Sequence, residues 1–289
     1  MPPFYGHKPA DGFHVLKDAW GQKTYHEEQS KALADDLAQA IQATCDAAPI
    51  RRQGFQLARQ GTVDMAETQE ERRLEAAMLN RWNNEDMWPI PGAWSRLVAF
   101  QTPLFNEAKK DSWGYIDLLG VNPDGLPVVV ELKRSPPATA NGVTSNPETP
   151  LRMLLEAAAY AVSLRKNWNE RFREAWTAHL TDLKVPESTI NQIPSELTTV
   201  PLVAAAPAAF WMEWLPFTAK GRSMGGYEEF CRLVDELGKQ ELPVSFVSIS
   251  GEASFPSTLA VQPLDALPWS KQALDFAKPI PGSSDKACL

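Results

Sequence analysis

Residues 114–134, GYIDLLGVNPDGLPVVVELKR, constrain the fold more than any other stretch: two apolar runs flank a tight bend and carry Asp117, Glu131 and Lys133 inside them. Strand interiors bury their faces, and a buried charge is costly unless it is paired or holds a metal. Asn122-Pro123-Asp124-Gly125 suits a type I turn with proline at its second position. Gly125 can then take the left-handed conformation that closes a short bulged hairpin loop. With Pro123, Asp124 and Gly125 as the loop, Asn122 pairs with Leu126, Asp117 faces Glu131 and Tyr115 faces Lys133. Alternation puts Asp117, Glu131 and Lys133 on one face and Ile116, Leu118, Val128, Val130 and Leu132 on the other.

Two carboxylates directly across a strand pair repel, because their Cβ atoms lie only about 5 Å apart. Lys133 supplies one positive charge against that repulsion; a divalent cation held between the oxygens supplies two. Mg2+ commonly takes one or two protein carboxylates and keeps its remaining positions for water and phosphate oxygens. It acidifies bound water and stabilises charge on a phosphoryl centre, while the Lys133 amine beside it can orient or deprotonate the attacking water. The competing reading takes Glu-x-Lys as the solvated face of an antiparallel sheet. The apolar face-mates Leu119 and Val129, and a following helix that is apolar nearly all round, favour a covered face.

Around the hairpin, helical periodicity marks residues 23–47, where Leu33, Leu37, Ile41 and Cys45 recur every four residues, and residues 67–82, with the stripe Leu74, Met78 and Trp82. Strands are expected at 95–101, 113–121 and 127–133, then a helix from Pro150 to Arg165 with Thr149 as N-cap. A buried strand at 200–206, an amphipathic helix at 226–239 and a strand at 243–250 follow. The order α-β-β-β-α-β-α-β predicts an α/β fold with a mixed central sheet flanked by helices, plus an added N-terminal helix. The expected organisation is an N-terminal helical extension (1–64), a core (65–250) and a proline-rich tail packed on that core (251–289).

This order and these residues resemble the PD-(D/E)XK nuclease superfamily, the restriction-endonuclease-like fold. Its signature is an acidic residue in one strand and (D/E)-x-K in the next, matched here by Asp117 and by Glu131-Leu132-Lys133. Ile116 stands where many members have proline before the acid. The resemblance implies a Mg2+-dependent hydrolase of phosphodiester bonds in nucleic acid, DNA ahead of RNA, with Mn2+ able to substitute. It implies Asp117 and Glu131 as ligands with the Leu132 carbonyl as a third, and Lys133 positioning water or stabilising the transition state. The preceding helix in this family often adds a glutamate; Glu71 or Glu75 could serve, Glu75 being preferred. Glu156-Ala-Ala-Ala-Tyr160 stands where some branches carry Gln-x-x-x-Tyr, so Arg152, Glu156 and Tyr160, with Arg134, are candidates for nucleic-acid contact. For Arg152 and Glu156 a mutual ion pair one turn apart explains the spacing equally well. The resemblance also leaves a homodimer open, since many members cut duplexes as dimers. It spans roughly residues 65–250.

Composition narrows the alternatives. A net charge of −8 argues against a protein that grips nucleic acid over its whole surface, though a local groove can be positive on an acidic body. Cys45, Cys231 and Cys288 have no metal or disulfide spacing and fit free thiols in a cytoplasmic protein. No basic leader with an apolar core opens the chain, and the most apolar stretch, 200–217, is broken by Pro201, Pro207 and Glu213; neither a secretory signal nor a membrane span is expected. Gly221-Arg-Ser223-Met-Gly225 satisfies the hydrolase elbow G-x-S-x-G, but all four histidines precede Ser223, the wrong order for that mechanism. Arg51, Arg52, Arg59, Lys109 and Lys110 are candidate phosphate contacts, and Trp82, Trp88 and Trp94 candidate base-stacking rings, with surface and core packing as the plain alternatives. The function class that competes with the nuclease is a binding protein that keeps this fold without catalysis.

Overall fold

The computed structural model describes residues 26–59, 70–83, 96–104, 113–134, 150–213, 227–251 and 259–264. The bend behaves as its residues dictate. Gly125 is left-handed at φ +74, its N–H donates to the Asn122 carbonyl at 3.0 Å, and the Asn122 N–H donates to the Leu126 carbonyl at 3.1 Å. Asn122 Oδ1 also accepts the Leu126 N–H at 2.8 Å. The bend is covered by later chain: Trp176 Nε1 donates to the Gly125 carbonyl, and a Cβ at Gly125 would stand 2.7 Å from the Thr189 carbonyl oxygen.

From this hairpin, β2 (Tyr115–Val121) and β3 (Pro127–Leu132), the sheet grows both ways. On one side β1 (Arg96–Pro103) pairs antiparallel with β2; on the other, β4 (Leu202–Pro207) and β5 (Val244–Ser250) add in parallel, and β6 (Ala260–Leu264) closes the row antiparallel. The result is a mixed six-stranded sheet in the order β1-β2-β3-β4-β5-β6. Parallel neighbours need crossovers. α3 (Pro150–Asn167) lies between β3 and β4 in sequence, and α7 (Tyr227–Lys239) between β4 and β5.

Alternation along the strands separates two cores. Leu119, Val129, Leu202, Ala204 and Phe246 join α3 and α7 in one; Leu118, Val130, Leu132, Val203 and Val247 join α2 (Glu70–Trp82) in the other. α1 (His26–Ala47) packs on α3 and α7, burying Leu37 and bending at Asp36, where φ/ψ leave the helical region. It is a layer of the main core. Ile116 departs from expectation: it packs with Leu104 and Trp113 in the α3-side core, away from Leu118. The change of face falls where the regular ladder between β2 and β3 ends, at Leu118–Val130.

Three parts of the fold differ from the sequence reading. Residues 168–199 hold a π-helical turn (Trp168–Phe172), α4 (Arg173–Asp182) and α5 (Glu187–Ile190), none of them anticipated. A short helix, α6 (Ala208–Glu213), follows β4 directly. The proline-rich tail supplies β6, an edge strand that accommodates Pro263 opposite Val247. Among the described residues no helix is long and apolar enough to cross a membrane. Trp88, Trp94, Lys109, Lys110, Cys288 and the Gly221–Gly225 elbow lie outside the described residues.

Candidate active site

Where the β2–β3 ladder ends, the Asp117 side chain takes over its work: Oδ2 accepts the Leu132 N–H at 2.9 Å. Leu132 therefore enters the site through its amide. The regular register ends at Leu118–Val130, short of the expected Asp117–Glu131 pair; Asp117 instead groups with Glu71 and Glu75 of α2, and Glu131 with Lys133 and with Glu156 of α3. On the other side, the pairs Phe100–Leu118 and Thr102–Ile116 bracket Gln101 and Asp117, which brings the two to the same level of the sheet.

Two charged groups meet here. In one, Lys133 Nζ donates to Glu131 Oε1 at 2.6 Å and to Glu156 Oε2 at 2.7 Å, and Arg152 Nε donates to Glu156 Oε1 at 2.9 Å. Lys133, Glu131 and Glu156 are all buried, and Glu131 Oε2 is buried with no hydrogen-bond partner. In the other, Glu71, Glu75 and Asp117 each offer a carboxylate oxygen within 4.8 Å of the others'. The groups touch: Lys133 Nζ lies 4.0 Å from Glu71 Oε1.

The electrostatics follow from crowding acids in a dry place. Burial, reinforced by the Asp117 charge and relieved in part by a hydrogen bond from Gln101, pushes the Glu75 carboxyl up to about 9. Burial also raises Asp117, to about 7, against the pull of Lys133 and the Leu132 amide. Glu131 goes up as well, through burial and then Asp117. Glu156 is the exception: although burial opposes it, Lys133 and Arg152 hold its carboxyl down at about 2. Three hard oxygen donors at this separation, two of them unwilling to ionise unaided, are the donor chemistry that a divalent cation satisfies. The residues fit such an ion, and Glu71, Glu75 and Asp117 would hold it.

The sequence-derived residues thus divide. Asp117 and Glu75 fall in the carboxylate set, which takes in Glu71 too, so both glutamates stand beside Asp117. Glu131, expected as a ligand, lies outside that set; its Oε1 accepts from Lys133. Arg152 and Glu156 form the mutual pair, and Glu156 in addition neutralises Lys133. Tyr160 is buried in the α3-side core, its hydroxyl close to Gly114, not on a surface. Arg134 is half-buried at the mouth of the strand. Arg51 is buried, its backbone N–H on Asn167 Oδ1 and its guanidinium over the Phe55 ring, which makes it structural. Arg59 pairs with Asp182, and Trp82 is core. Gln101, which reaches Glu75 Oε2, was missed by the sequence reading; a polar residue ending the strand SRLVAFQ was the only sign of it.

Comparison with known proteins adds no name to this geometry: no family model, curated protein or solved structure matches the chain.

Proposed function

We propose that this chain is a metal-dependent nuclease that hydrolyses phosphodiester bonds of DNA on a restriction-endonuclease-like core. The observation that carries the reading is the meeting of Asp117 with Glu71 and Glu75 beside the Lys133 amine, at the split between two strands. Three antiparallel strands followed by two parallel ones, with α3 in the first crossover, support the reading. A divalent cation, Mg2+ or Mn2+, would acidify a bound water and offset charge on the phosphoryl group. The chain's own part is to present Asp117, Glu71 and Glu75 as one anionic set and to keep the Lys133 ammonium next to it. The free thiols of Cys45 and Cys231 suit a reducing cytoplasm, and a homodimer would suit a duplex substrate.

The test is cleavage of single- and double-stranded DNA and RNA by the purified chain with Mg2+ or Mn2+. DNA cleavage that disappears in Asp117→Asn, with the unfolding midpoint retained, supports the reading; all substrates left intact under both metals overturn it. Asp117→Asn is preferred to a change at Lys133, whose loss would strand two buried glutamates and threaten the fold.

A second reading has one observation in its favour. The Lys133 amine is held between Glu131 and Glu156, an arrangement that suits a structural ion pair in a non-catalytic binding protein. Calorimetry separates the two: the binding protein takes up no Mn2+ in a manner that depends on Asp117, Glu71 and Glu75.

A further inference from the structure

Gln101 has a backbone that its sequence gives no reason to expect. It lies inside β1, yet its φ is +48, in the left-handed region that residues with a Cβ enter at a cost. Strand β1 is already irregular nearby, with a register shift between Leu97 and Ala99 and the Val98 carbonyl bound by His179 Nε2 at 2.7 Å. Phe100, the residue before Gln101, is pinned from outside by a bridge to Ala58. The amide Nε2 meets Glu75 Oε2 at 2.5 Å, and Gln101 lies between the Phe100–Leu118 and Thr102–Ile116 pairs, at the level of Asp117.

We propose that Gln101 is a positioning residue for the candidate cation site: the left-handed turn aims its amide at Glu75 and fixes that carboxyl against Asp117. A neutral amide suits the task in either protonation state of Glu75. Its NH2 donates to a carboxylate, and its carbonyl accepts from a carboxylic acid. An arginine or lysine there would instead neutralise the set and compete with a cation. The strain is accepted because it orders a ligand, the role that partners behind a metal's ligands commonly play. This inference rests on the cation-binding reading of Glu71, Glu75 and Asp117.

The experiment measures Mn2+ affinity by calorimetry and the metal-free thermal midpoint for the parent chain, Gln101→Gly, Gln101→Asn and Asp117→Asn. Glycine relieves the backbone and removes the amide; asparagine tolerates the left-handed region but ends one methylene short. Both are expected to weaken Mn2+ binding about tenfold or more, while the Gln101→Gly midpoint stays level or rises. Unchanged affinity in Gln101→Gly, or a midpoint that falls together with affinity, overturns the inference alone. A parent chain that binds no Mn2+, or binds it equally in Asp117→Asn, brings down the cation-site reading and this inference with it.

Discussion

A carboxylate buried beside other carboxylates raises the free energy of the folded chain unless a proton or a cation answers it, and Asp117 and Glu75 make that cost visible in pH. Both carboxyls sit above their ordinary values, Asp117 at about 7 against 3.8 and Glu75 at about 9 against 4.5. From pH 4 upward the folded chain therefore holds protons that the unfolded chain has already released. Stability must fall as pH rises through these windows. Glu156 acts in the opposite sense: held at about 2, it contributes stability above 4.5 that is lost as pH drops toward 2. In metal-free buffer the thermal midpoint is expected to be higher near pH 5 than near pH 8. Glu75→Gln should flatten that decline, and Mn2+ should raise the midpoint more at pH 8 than at pH 5, because cation and proton compete for the same oxygens. A midpoint that climbs steadily from pH 5 to 8 without metal would contradict the buried, unanswered carboxylates.

At the scale of elements, α2 does more than cover a sheet face. Leu74, Met78, Leu79 and Trp82 bury against Leu97, Leu118 and Leu132, and this seating carries Glu71 and Glu75 to the place where β2 and β3 part. Met78 is completely buried. Met78→Ala is expected to cost about 2–5 kcal/mol in urea unfolding and, in the fraction still folded, to weaken Mn2+ binding because the helix loses its purchase. A loss of stability with wild-type metal affinity would show that α2 does not set the glutamates' positions. α4 makes a related point about legibility. Trp168, Phe172, Trp176 and Leu180 recur every four residues and are all buried, with Phe172 stacked on Trp176. That stripe is as plain a helical signal as the one in α1, with charged residues between the rings.

At the scale of the whole molecule, the sheet needs the C-terminal tail. β5 without β6 would present the backbone groups of residues 246–250 as an open edge, a template for pairing with another chain. Ending the chain at Gly251 is therefore expected to lower the thermal midpoint and produce concentration-dependent association, followed by light scattering; a truncated chain that stays monomeric with an unchanged midpoint would mean that β6 is dispensable.

What the sequence determined by itself was whatever short-range chemistry decides. Pro123, Asp124 and Gly125 define one turn, and that turn sets the register from Val121–Pro127 to Leu118–Val130. Helical and strand periods likewise located α1, α2, α3, α7 and the first five strands, because each face must be buried against something. Partners distant in sequence were decided only by tertiary structure. That Lys133 would spend its charge on Glu131 and Glu156, that Glu71 and Glu75 would both reach Asp117, and that Gln101 would turn left-handed to hold Glu75 all depend on where α2, α3 and β1 dock. Tyr160 shows the same limit from the other side: the resemblance implied a contact surface, and the packing of α3 made it core. Local sequence specifies torsions and faces, but which charges meet is settled by the burial of apolar surface elsewhere, which brings the elements together with little regard for the ions they carry.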